Sequence, residues 1–140
     1  MNTNPVKRQA LRVLVVDDDA DTANSSVLVL QRLGYQASAA YAAEQALDRA
    51  LLLQPHAVLL DIAMPGRDGY HLARALRELP GMPDVLLIRV SGYGGEPHRR
   101  QALEAGCNYH LIKPAEWQEV ASLIDRWACV RGRPMHKDYA

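Results

Sequence analysis

The chain has no phenylalanine and only two tryptophans and two cysteines in 140 residues. With so few rings, its core must be closed by aliphatic side chains and alanine. Cys107 and Cys129 form no CxxC and no metal-ligand spacing, which gives no basis for a disulfide framework or a zinc site. Both are expected to be small core residues of a reducing compartment. No apolar run approaches the ~20 residues a membrane span needs, and the polar Met-Asn-Thr-Asn-Pro-Val-Lys-Arg start has no signal-peptide core. A charge excess is missing as well, since sixteen basic residues balance sixteen acidic ones. Nothing electrostatic therefore draws the chain to nucleic acid or a membrane surface. What remains is one globular domain with a cytoplasmic home, 49% apolar and 23% charged, large enough to bury a core.

What is present is alternation. Short β-branched runs and longer helical segments follow one another five times. Val13–Val16 is continuously apolar, the mark of a strand buried on both faces. Asp19 or Asp21 can cap a helix carrying Val27, Leu28, Leu30 and Leu33, ended by Gly34. Tyr35–Tyr41 is an alanine-rich second strand, and 43–53 a helix stopped before Pro55. Ala57–Leu60 is the third strand, Met64-Pro65-Gly66 a turn, and Asp68 the cap of a helix bearing Leu72, Ala75, Leu76 and Leu79. Asp84–Val90 is the fourth strand. A fourth helix runs from Pro97 to about Ala105, closed by Gly106. Asn108–Ile112 is the fifth strand, and 115–130 a final amphipathic helix with Trp117, Val120, Leu123, Ile124 and Trp127. Residues 1–10 and 131–140 read as flexible tails around a single domain at 11–130.

Strand–helix alternation predicts a doubly wound parallel sheet with helices on both faces. The loops after the strands then share one edge, where such folds bind ligands. Asp17, Asp18 and Asp19 follow the first strand, Asp61 the third, Ser91 the fourth and Lys113 the fifth. Carboxylates gathered there repel one another unless a cation joins them, so a divalent metal and an anion held by Lys113 would resolve the conflict. Asp19 and Asp21 are read as helix caps instead. Gly94-Gly95 is no nucleotide cradle, since neither a Walker pattern nor GxGxxG precedes a helix. His56, His71, His98 and His136 share no spacing and are expected at the surface.

Val-Val-Asp-Asp-Asp at 15–19, Leu-Leu-Asp-Ile-Ala-Met-Pro-Gly-Arg-Asp-Gly at 59–69, Val-Ser-Gly-Tyr-Gly at 90–94 and Ile-Lys-Pro at 112–114 together resemble the receiver domain of bacterial response regulators. The resemblance covers about residues 11–130. It implies a flavodoxin-like (βα)5 three-layer sandwich with a five-stranded parallel sheet of order 2-1-3-4-5. It implies Asp61 as phosphoacceptor and Mg²⁺ as cofactor, with Mn²⁺ able to substitute. Asp18 and Asp61 would ligate the metal directly, Asp17 through water, and Ala63 by its backbone carbonyl. Lys113 and Ser91 would bind phosphoryl oxygens, and Ser91 and His110 would form the switch. A cis bond is implied between Lys113 and Pro114, where proline makes cis accessible. Ala63 and Tyr93 occupy positions that tune phosphoryl lifetime; they imply slow self-dephosphorylation, to be read from the decay of the acyl phosphate.

The same resemblance implies partners: a histidine kinase or histidine phosphotransfer protein as donor, and a downstream output domain or protein. The fourth helix, fifth strand and fifth helix would form the output face, through which a homodimer could also assemble. No substrate turnover separate from the domain's own phosphorylation and dephosphorylation is expected, and no direct nucleic-acid or membrane contact. The chain departs from the pattern at three places. His110 stands where Tyr or Phe is commoner, which suggests a pH-sensitive switch. Arg89 lies inside the fourth strand and must snorkel out or find a carboxylate. Ala115 follows Lys-Pro where Phe is frequent, so packing below that loop should be looser. Two other classes share this kind of sheet. An aspartyl phosphatase would place both acids in one Asp-x-Asp motif under a cap domain, and a flavin module would need a hydroxyl-rich loop after strand one. Neither matches.

Overall fold

A computed structural model describes residues 7–61, 69–82, 84–91, 100 and 103–131, with backbone alone at 61, 69, 70 and 131. The strands are β1 (Arg12–Asp17), β2 (Gln36–Ala40), β3 (Ala57–Asp61), β4 (Leu86–Ser91) and β5 (Tyr109–Ile112). The helices are α1 (Ala20–Arg32), α2 (Ala43–Leu53), α3 (Gly69–Glu78) and a C-terminal helix, Trp117–Arg131. All four strand pairings are parallel, and the order is β2-β1-β3-β4-β5. This is the doubly wound parallel sheet that the alternation predicted, in the flavodoxin-like order that the resemblance implied.

Strand side chains alternate between faces, and the core divides accordingly. Leu14, Val16, Val58, Leu60 and Leu87 pack with Ala46 and Ala50 of α2 and Leu72, Ala73 and Leu76 of α3. Val13, Val15, Leu59 and Ile88 pack on the other face with Ala23 and Leu30 of α1 and Val120, Ala121 and Ile124 of the C-terminal helix. Continuous apolar strands thus feed two cores without phenylalanine, the small alanines letting helices approach closely.

Local chemistry sets the ends of the helices. Asp19 is the N-cap residue of α1. Its carboxylate accepts from the Thr22 hydroxyl at 2.6 Å. Gly34, at φ +107°, closes α1: its N–H donates to the Gln31 carbonyl, and the Tyr35 N–H reaches the Leu30 carbonyl, both at 3.0 Å. That pair of bonds is a Schellman motif, and the positive φ is why glycine stands there. Gln45 reaches back from α2 to accept the Tyr41 N–H at 2.7 Å.

The structure corrects several expectations. The first and third strands extend to include Asp17 and Asp61. β4 starts at Leu86 rather than Asp84, because a turn donates the Val85 N–H to the Met82 carbonyl. The tail reading of 1–10 fails at its inner end. Arg8–Ala10 form a 3-10 turn held by the Arg8 guanidinium, which bonds Asp125 through both Nε (3.1 Å) and Nη2 (2.7 Å). Cys107 is buried as expected, but Cys129 is exposed. Its place on the solvent side of an amphipathic helix explains that. His56 is half-buried, its Nδ1 accepting the Arg12 N–H at 3.0 Å. The turn at 64–66, the Asp68 cap and most of the fourth helix lie outside the described residues; Arg100, Leu103 and Glu104 are helical.

Candidate functional site

The parallel register decides which acids meet. Asp17 and Asp61 end β1 and β3 and are direct Cα partners, so about 4.8 Å of strand spacing separates their backbones. Asp17 is 4% exposed and Oδ1 accepts the Asp19 N–H at 2.9 Å. One carboxylate oxygen thus fixes the turn into α1. Asp18 is exposed at the same turn. Carboxylates are hard oxygen donors of the kind Mg²⁺ prefers. Among the described side chains no group of three potential ligands gathers; the Asp61 side chain is not among them.

Ser91 and Lys113 reach the same edge by another route. Ser91 is the last residue of β4, 2% exposed, and partners Ile112. Its carbonyl accepts the Lys113 N–H at 2.8 Å, which carries the sheet pairing one residue past β5. The hydroxyl residue and the lysine are therefore fixed side by side. Lys113 is exposed, and the Lys113–Pro114 bond is cis. Asp17 and Lys113 both line one cavity at this edge. Ala63 and Tyr93 lie outside the described residues.

The sequence left Arg89 unplaced. It stays in the sheet, 5% exposed, opposite His110 in the β4–β5 register, with Nη1 3.3 Å from His110 Nε2. A guanidinium only donates, so a hydrogen bond here uses Nε2 of the imidazole as the acceptor. The side chain does not snorkel out of the sheet. Only the pairing of two strands could have revealed it. Nearby, burial pushes the Cys107 thiol up to about 11 despite Arg89 and Arg77. It stays protonated and unreactive.

A doubly wound sheet that collects acids, a hydroxyl and a lysine at the carboxyl ends of its strands is the architecture of a phosphoryl-accepting signalling domain. The chain belongs to the response regulator receiver domain family, whose pattern it matches over residues 13–125, and so to two-component signalling. It is 34% identical over 115 residues to a 14.6 kDa uncharacterized protein of Leptolyngbya boryana, covering 82% of this chain and 88% of that one. It is 36% identical over 113 residues to the transcriptional regulatory protein PrrA of Mycobacterium leprae, covering 81% of this chain but 48% of PrrA. Of that regulator it thus spans about half. Among solved structures, the receiver domain of the sensor histidine kinase PA1611 from Pseudomonas aeruginosa PAO1 matches with TM-score 0.74 and 27% identity, over 84% of this chain and 96% of that one. That receiver carries a magnesium ion coordinated in its active-site cleft. Among the described residues no helix is long and apolar enough to cross a membrane.

Proposed function

We propose that this domain takes a phosphoryl group from the phosphohistidine of a histidine kinase or phosphotransfer protein onto Asp61. The observation that carries the reading is the pairing of Asp17 with Asp61 in register, beside the backbone bond that joins Ser91 to Lys113. An Asp61 carboxylate oxygen forms the new O–P bond as the donor's P–N bond breaks, and the imidazole leaves with that electron pair. Asp17, Asp18, Asp61 and the Ala63 carbonyl would hold Mg²⁺, Asp18 directly and Asp17 through water. Bound there, the ion neutralises carboxylates and phosphoryl oxygens that would otherwise repel. Lys113 pairs with one phosphoryl oxygen and the Ser91 hydroxyl donates to another. Alignment and charge neutralisation supply most of the catalysis in such transfers.

Incubation with Mg²⁺ and phosphoramidate, followed by intact-mass measurement, tests this. Wild type gains one phosphoryl group, and Asp61→Asn gains none. Phosphorylation that persists in Asp61→Asn removes the assignment, and phosphomonoester turnover that persists there favours the aspartyl-phosphatase rival.

The output follows from the same edge. Ser91 moving toward the phosphoryl group pulls on β4, and His110 on β5 responds, changing partner affinity on the face of the fourth helix, β5 and the C-terminal helix. Because the Arg89–His110 bond needs a neutral imidazole, acid weakens the resting arrangement. Phosphorylation-induced spectral shifts of β5 amides should therefore differ between pH 6 and pH 8, and should become alike in His110→Tyr. Identical shifts at both pH values in wild type would argue against the coupling.

A further inference from the structure

A cavity of about 170 Å³ lies between α1 and the C-terminal helix, where it opens beside Asp17 and Lys113. Val15, Leu59 and Val90 from three neighbouring strands and Val120 and Trp117 from the C-terminal helix make it mainly apolar. Ala115, half-buried, contributes only a methyl group to its lining.

We propose that this cavity binds a small, neutral, monocyclic aromatic alcohol. Size is the first argument, since an aliphatic cavity of about 150 Å³ accommodates benzene. Charge is the second. Asp17 and Lys113 carry opposite signs on the same lining. An anionic ligand meets the carboxylate and a cationic one meets the ammonium. A neutral hydroxyl suits both, donating to Asp17 and accepting from Lys113. Ser26, half-buried on α1, adds a further hydroxyl at the lining. The third argument is the Trp117 indole, which offers an edge or face to a ligand ring. The lining shares Asp17 and Lys113 with the proposed phosphoryl site, but ligand binding is read without phosphorylation, so the two readings fail in different experiments.

The test is a titration of the full chain, with ¹³C-labelled methyl groups, by phenol and p-cresol, and by benzoate and benzylamine as charged counterparts. Phenol and p-cresol should shift the methyls of Val15, Leu59, Val90 and Val120 in a saturable way. The methyls of Val16 and Val58, on the opposite face of the sheet, should stay still. Ala115→Phe fills the space and should weaken binding about tenfold or more, with Val16 and Val58 signals confirming that the variant is folded. Ser26→Leu crowds the rim from α1 and should weaken binding in the same direction. Benzoate and benzylamine should bind more weakly than phenol. Absence of saturable shifts with either phenol, wild-type affinity in both filled variants, or equally tight binding of benzoate would each overturn the proposal.

Discussion

At the amino edge of the sheet, charged groups are matched within the protein. Arg8 bonds Asp125 twice and the Leu33 carbonyl at 2.9 Å, and its guanidinium lies 5.1 Å from the centre of the Tyr35 ring. The Tyr35 hydroxyl donates to Asp125 at 2.6 Å; burial first, and that carboxylate second, push its pKa up. Arg12 closes the end of α2 through the Leu53 and Gln54 carbonyls. At the carboxyl edge, by contrast, three successive aspartates stand at the end of β1, a fourth ends β3, and a cavity opens beside Asp17. One edge spends its charges on holding the chain together. The other gathers acids around the end of β1, with Asp17 turned to the Asp19 N–H and lining a cavity together with Lys113.

Removing acids one edge at a time should expose this division. The largest effect is expected from Asp18→Asn. It should slow Mg²⁺-dependent phosphorylation on the order of 100-fold, the scale of losing one preorganised charge-stabilising group. Thermal stability should hold or rise, because like-charge crowding falls. A drop in Tm without a rate change would invert the comparison. Asp125→Ala should do the reverse. It strips Arg8 and Tyr35 of a shared carboxylate, lowers stability by about 2 kcal/mol and Tm by roughly 6 °C, and leaves the phosphorylation rate alone.

The smallest effect belongs to His56, whose pKa burial and then Arg12 push below the ordinary value of 6.5. The unfolded chain therefore takes up a proton before the folded one does. Stability from this group is complete above about pH 6.5 and is lost as pH falls below it toward the folded pKa. Denaturation midpoints should decline from pH 7 to pH 5, and His56→Asn should flatten that part of the decline. An unchanged slope in the variant would remove His56 from the account.

The strands were legible because burial on both faces leaves an unbroken apolar run, as in Val13–Val16 and Ala57–Leu60. The helix over 43–53 was legible from its spacing and from Pro55 beyond it, and the structure places α2 on the same residues. The convergence of acids followed from the parallel order alone. What escaped the sequence were partnerships across long separations. Arg8 and Asp125 are 117 positions apart, and nothing local in Lys-Arg-Gln-Ala announces a docked turn. His56 looked like a surface residue because its donor, the Arg12 amide, belongs to another strand. Arg89 violated the local rule for a buried strand, and its contact with His110 appears only when β4 lies beside β5.

Both indoles of the protein sit on a single helix. Trp117 lines the carboxyl-edge cavity, and Trp127 packs against the core beneath the same face of the sheet. Tryptophan emission, excited selectively, therefore reports one side of the molecule. Events at the phosphoacceptor edge or in the cavity can be followed without any attached dye, and α2 and α3 remain dark to the same light.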